Sequence, residues 1–159
     1  MSLYFEDLDV GDQYEAGAYT IDADEIVSFA EQFDPQPFHT DPEAAADSMF
    51  GGLVASGLHT LSLSVRLFVT GFVNAGPELR NMGGLGMDDL QWHEPVRPGD
   101  TLRIEVEVVE TTPSESREDR GYVEFQRRTY TETDHVLTVH SYNIVRRRGV
   151  DTDPEDTDA

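Results

Sequence analysis

Apolar residues change their spacing several times along this chain. Over "QYEAGAYTI", residues 13–21, they alternate loosely with polar ones, the period of a half-buried strand. Ile26, Phe29, Ala30 and Phe33 then recur at helical spacing. Asp22 stands before them as a candidate N-cap, with Glu25 three residues on as in a capping box. Pro35 disfavours the α conformation at Asp34 and stops this helix near Phe33, and Pro37 restrains Gln36 in the same way, which predicts a stiff loop. "DPEAAADSMF" restarts a helix, with Asp41 as its cap and Pro42 at the favoured first position. From Leu58 to Val73 apolar residues fall on nearly every face, so a long helix buried all round is expected, and something must wrap it.

Strands supply the wrapper. "GMDDLQWHEPV" reads as one, with the flexible "GGLGM" leading into it. "DTLRIEVEVVETT" places Leu102, Ile104, Val106 and Val108 on one face and Arg103, Glu105 and Glu107 on the other. "GYVEFQRRTYTET" and "HVLTVHSYNIVRRR" form an antiparallel pair that turns near Thr133 and Asp134, and "RPGD" is a turn signal. The pattern predicts an α+β fold: an antiparallel sheet of about five strands wrapped around one long buried central helix. Such a sheet leaves edge strands open, and pairing between two chains is one remedy, so a homodimer is expected, with a higher oligomer left open.

Composition narrows the function classes. The 159 residues carry 32 Asp and Glu against 11 basic residues, all of them arginine, for a formal charge of -21. Phosphate binding needs clustered cations, so nucleic acid and anionic membranes are not expected partners. The absence of lysine alongside so many acids points to a salt-rich, halophilic cytoplasm, where self-repulsion is screened. With no cysteine there is neither a disulfide framework nor a thiolate site. The acidic first residues are no signal peptide, and no uncharged apolar run reaches membrane-spanning length, which gives a soluble, cytoplasmic reading. Residues 1–148 are expected to form one domain, and the acidic tail over 149–159 is expected to be disordered.

The chemistry concentrates in "FDPQPFHTD", residues 33–41. On spacing alone Asp34 is a helix-ending acid and His39 a loop histidine, although a carboxylate and an imidazole can also grip one water. The longer segment "FAEQFDPQPFHTDPEAAADSMFGGLVASGLHT" resembles the MaoC-like dehydratases, which include the (R)-specific enoyl-CoA hydratases and have a hot-dog fold. Their motif places an Asp, then Asn-Pro, then a His five residues after the Asp. Asp34, Pro37 and His39 occupy those positions; Gln36 replaces the usual Asn, and Phe33 stands where many members have Gly. Phe50, Gly51 and Gly57 match the start of the family's central helix, and Ser56 occupies a position that is often His. "VRPGDTLRIEVEV" resembles a later strand signature.

The resemblance implies reversible hydration of a trans-2-enoyl-CoA to an (R)-3-hydroxyacyl-CoA. It casts Asp34 as the base that takes the water's proton, His39 as the group that orients the water and helps return a proton, and the Gly57 backbone N–H as the oxyanion donor. Phe33, Pro37, Phe38, Phe50, Gly51, Ser56 and His59 are the expected substrate-binding residues, with Phe33, Phe38 and both prolines desolvating Asp34 and raising its basicity. No cofactor is expected beyond the coenzyme A of the substrate, and no metal, since "HTD" lacks further ligands at a usable spacing. Arg66, Arg80, Arg97, Arg127 and Arg128 are candidates for the coenzyme A phosphates, with surface solvation as the default for each. His93, His135 and His140 read as packing or surface residues. The competing functions are a hot-dog thioesterase, which commonly carries its carboxylate on the central helix, and a non-catalytic acyl-CoA-binding module.

Overall fold

The computed structural model describes residues 1–150, so most of the tail expected to be disordered lies outside the described residues. The chain opens with a two-residue strand, β1 (Ser2–Leu3), and a 3-10 turn over Phe5–Asp7. Then come β2 (Gln13–Thr20), α1 (Ala23–Phe33), α2 (Pro37–Thr40), α3 (Pro42–Ala46) and α4 (Gly57–Phe68). A π turn over Val69–Val73 continues α4. The remaining strands are β3 (Glu78–Leu79), β4 (Asn81–Trp92), β5 (Thr101–Pro113), β6 (Arg120–Tyr130) and β7 (His135–Arg146). β2, β5, β6, β7 and β4 form, in that order, a five-stranded sheet in which every pairing is antiparallel. β1 and β3 form a small parallel pair too short to leave a periodic signal.

The sheet packs against the central helix as the alternation requires. Leu102, Ile104, Val106 and Val108 of β5 are buried, and so are Val123 and Phe125 of β6 and Leu137, Val139 and Val145 of β7. They meet Leu63, Leu67, Phe68 and Phe72, and the rings of Phe68, Phe72 and Phe125 contact one another at centroid distances of 5.4, 5.5 and 5.7 Å. Full burial of side chains of this size is worth roughly 1.5–3 kcal/mol each.

The local signals act largely as expected. Asp22 accepts the Glu25 N–H at 2.8 Å and caps α1, while the Glu25 carboxylate takes the Tyr19 hydroxyl at 2.8 Å, so only half of a capping box forms. The presumed stiff loop is partly helical: Pro37 sits in the first turn of α2, where its missing N–H costs nothing. α3 ends at Ala46, four residues before Phe50, and β4 starts earlier than expected, absorbing the glycine-rich segment. β4 also carries three register slips against β7, the bulges expected of an edge strand.

One expectation needs correction. α4 is buried on one face only: the sheet covers Thr60, Leu63, Ser64, Leu67 and Phe68, while Leu58 and Val69 stay 47% and 36% exposed. The apolar residues on the second face run beside exposed Leu85, Met87 and Trp92 of β4. The all-round apolar pattern therefore marks one core face and one face open to solvent in a single chain.

Candidate active site

The end of α1, the turn of α2 and the first turn of α4 meet at one end of the sheet. Asp34 terminates α1, and its N–H bonds the Ala30 carbonyl at 2.8 Å. His39 lies on α2 and is buried. The segment before α4 is tied down on both sides: the Val54 N–H reaches the Phe38 carbonyl at 3.3 Å and the Ala55 N–H reaches the Val96 carbonyl at 2.8 Å.

His39 Nδ1 lies 2.6 Å from the Val54 carbonyl oxygen. A carbonyl only accepts, so Nδ1 carries the proton, and in the neutral ring Nε2 presents a bare lone pair. That nitrogen faces Asp34 Oδ2 at 3.4 Å. A direct charge-assisted bond would close to about 2.7–2.9 Å. The two groups are therefore close without being a closed ion pair, and both stand within reach of a water placed beside them. Both oxygens of the carboxylate are fixed by donors: the Ser56 hydroxyl donates to Oδ2, the oxygen that faces His39, and the Gln36 amide to Oδ1, each at 2.7 Å. These bonds, Ser56 first, hold the Asp34 pKa below the usual carboxylate value against a smaller opposing effect of burial. The expectation of a desolvated, more basic Asp34 is thereby overturned. Phe33 is 63% exposed and turned back onto Phe29, so it does not shield the acid.

Ser56 also caps α4, its Oγ accepting the Leu58 N–H at 3.3 Å. The Gly57 N–H, next to it, has no acceptor among the described residues. A free amide at the first position of a helix is a ready donor to a partial negative charge. The indole of Trp92 lies against Gly57 and donates to its carbonyl at 2.9 Å. A Cβ at Gly57 would stand 2.5 Å from the Trp92 ring, which makes glycine a steric necessity there. Gly57→Ala is expected to displace the indole, and Trp92 is the chain's one tryptophan. Its fluorescence emission should shift to the red; an unchanged spectrum would contradict this packing.

These groups line a cavity of about 390 Å³. Asp34, His39, Gly57, Phe38 and Phe50 are in its wall, as the sequence suggested. Phe33, Pro37, Gly51, Ser56 and His59 are not: Ser56 acts from behind Asp34, and His59 turns toward α1. Gln36, Thr60, Trp92, His93 and Glu94 were missed. The cluster "WHE" at the end of an otherwise regular strand was the available signal for the last three.

His59 stacks on Phe29, with centroids 4.4 Å apart and planes 7° from parallel, and its Nδ1 has no partner among the described residues. Burial pushes its pKa below the ordinary value, with Glu25 opposing. An imidazole that resists protonation in the fold, but protonates near its ordinary value of about 6.5 when unfolded, supports the fold fully above that value. The support is lost as pH falls toward the depressed folded value. His59→Phe should keep the stacking and narrow the drop in melting temperature between about pH 7 and pH 5; an equal drop in both proteins would contradict this.

All five candidate arginines have partners within the fold, Arg127 through Ser64 and the Phe68 ring. Arg97 donates to the Phe50 carbonyl at 2.7 Å and braces the cavity wall. Arg66 lies over Tyr19, Arg80 over Tyr4, and Arg128 within 3.7 Å of Glu105. Arg127 is buried, contrary to the default of surface solvation. No group of three or more metal-ligating side chains occurs among the described residues, and no helix there is long and apolar enough to cross a membrane.

Residues 7–132 match the model of the MaoC like domain family. The crystal structure of a MaoC-like dehydratase from Rhodospirillum rubrum is 41% identical, superposes with a TM-score of 0.84 and covers 94% of this chain and 100% of its own. The 3-hydroxybutyryl-CoA dehydratase of Methylorubrum extorquens is 35% identical over 117 residues, 72% of this chain and 69% of that protein. An (R)-hydratase from A. caviae involved in PHA biosynthesis is 28% identical, with a TM-score of 0.62 over 87% of this chain and 96% of its own.

Proposed function

Because the chain belongs to the MaoC-like domain family, we propose that it catalyses the reversible hydration of trans-2-enoyl-CoA thioesters to (R)-3-hydroxyacyl-CoA. The observation that carries this reading is the pair of acceptors, Asp34 Oδ2 and His39 Nε2, facing each other 3.4 Å apart at the wall of a cavity. A water bound there gives a hydrogen to each and turns its oxygen toward the substrate. As that oxygen attacks Cβ, Asp34 takes the proton, and electron density moves through Cα to the thioester oxygen. The Gly57 N–H, aided by the α4 dipole, receives that charge. The proton taken by Asp34 passes to His39 Nε2 and from there to Cα, which restores both side chains, so one oxygen and two hydrogens are added overall. Dehydration runs the same steps backwards.

The thioesterase alternative loses its usual support, since α4 and its π turn carry no Asp or Glu. The reading is tested by dehydration. (R)-3-hydroxybutyryl-CoA should yield the conjugated enoyl thioester and the (S) isomer should not; reaction of neither isomer at high salt would overturn it.

The open edge of β4 and the apolar row of Leu58, Val69, Leu85 and Met87 support a homodimer. Light scattering at high salt should give twice the chain mass; a monomeric mass would remove the proposal.

A further inference from the structure

The alternation of β6 and β7 places Arg127, Thr129, Ser141 and Asn143 on the buried side, among Val123, Phe125, Val139 and Val145. A sheet face serving only as core would be apolar at these positions. Asn143 is satisfied, donating to Asn81 at 2.9 Å. Arg127 Nη2, Thr129 Oγ1 and Ser141 Oγ have no partner among the described residues. Arg127 is only 1% exposed. Its Nε donates to Ser64 Oγ at 3.1 Å, and its guanidinium lies 5.2 Å from the centre of the Phe68 ring. No carboxylate pairs with it among the described residues, in a chain that holds 32 acids. Burial lowers its pKa to about 10, so it remains a cation near neutral pH. A buried, unpaired guanidinium is costly, and an anion is what would relieve it.

Arg127 and Ser141 stand in the wall of a second cavity of about 470 Å³, between α4 with its π turn and the sheet at β4 and β7. Val65, Phe68, Val69 and Met87 give it apolar sides. Since Val69 and Met87 also belong to the row proposed to meet a second copy, the dimer would close the mouth of this cavity over its buried end at Arg127. It shares no lining residue with the Asp34–His39 cavity. We propose that this cavity is a binding site for a carboxylate carried on a small apolar molecule. Arg127 and Ser141 take the carboxylate, and the apolar sides take the body. A planar guanidinium matches a carboxylate in a paired geometry that a neutral group cannot reproduce. Two sources offer this chemistry: a free aliphatic carboxylate, or the distal carboxylate of a dicarboxylic acyl thioester. The site is independent of the hydration reading, because binding is measured without turnover.

Hexanoate and 1-hexanol, titrated into the protein by calorimetry at one fixed salt concentration, provide the test. Hexanoate should bind at least about tenfold more tightly than hexanol, as expected for a hydrogen-bonded charge pair. Arg127→Met, which fills the same space without the charge, should abolish that preference. A dicarboxylic acyl-CoA that displaces hexanoate where its monocarboxylic analogue does not would identify the acyl chain as the source; displacement by neither would identify a free ligand. Equal affinity for hexanoate and hexanol, no binding of either, or a preference that survives in Arg127→Met would overturn the proposal. If the variant fails to fold, the comparison of the two ligands on the unaltered chain still decides.

Discussion

Asp34→Asn is expected to lower turnover of an enoyl-CoA by at least about 100-fold, the lower range for loss of a positioned acid–base group, with the circular dichroism spectrum unchanged. Asparagine keeps the shape of the side chain and can still accept a bond from Ser56 or Gln36, so the end of α1 should hold. It cannot accept a proton as water attacks. Its amide would also donate to the bare Nε2 of His39 across the 3.4 Å gap and close the place where water belongs. His39→Gln should cost a similar factor for a different reason: it removes the lone pair that the Val54 carbonyl orients. The double variant should be little slower than either single one, because the two groups act on one water. Near-normal rates in either single variant would remove the pair from the mechanism.

Dialysis from molar salt into dilute buffer is expected to unfold the chain. The formal charge is -21, with 32 acids held by 11 arginines. The sheet concentrates the problem: Glu15 and Glu105 are direct cross-strand partners on β2 and β5. Like charges so placed repel. Arg103 and Arg128 approach Glu105 at 3.3 and 3.7 Å and neutralise part of this. Glu15 itself has no arginine at such a distance among the described residues. At about 1 M salt the Debye length is near 3 Å and repulsion scarcely reaches beyond contact, whereas at about 0.1 M it extends to about 10 Å. A melting temperature that stays flat or rises on desalting would contradict the expected dependence on salt.

The fold was legible where a short-period pattern meets one environment. β5, β6 and β7 each have a buried face and an outer face, and alternation reported both. α4 misled because its two apolar faces look alike in sequence, although only one of them meets the sheet. Within the candidate site, Asp34 and His39 were legible because the motif places them only five residues apart. Trp92, His93 and Glu94 reach the same cavity from a distant strand, and nothing local reports that approach. Ser56 was placed in the wrong role for a related reason. Its position beside Gly57 suggested contact with substrate, whereas the chain path turns its hydroxyl back onto Asp34, 22 residues earlier. Phe33 closed the helical repeat of α1, yet it falls on the last residue of that helix, beyond the reach of the sheet.

The most direct measurement mixes the unaltered protein in high salt with crotonyl-CoA and follows the enoyl-thioester absorbance and free thiol together. If Asp34 and His39 hold one water against the substrate, absorbance falls to an equilibrium value and no thiol appears. Release of thiol in step with the loss of absorbance, or absorbance that stays constant while crotonyl-CoA binds, would contradict that account.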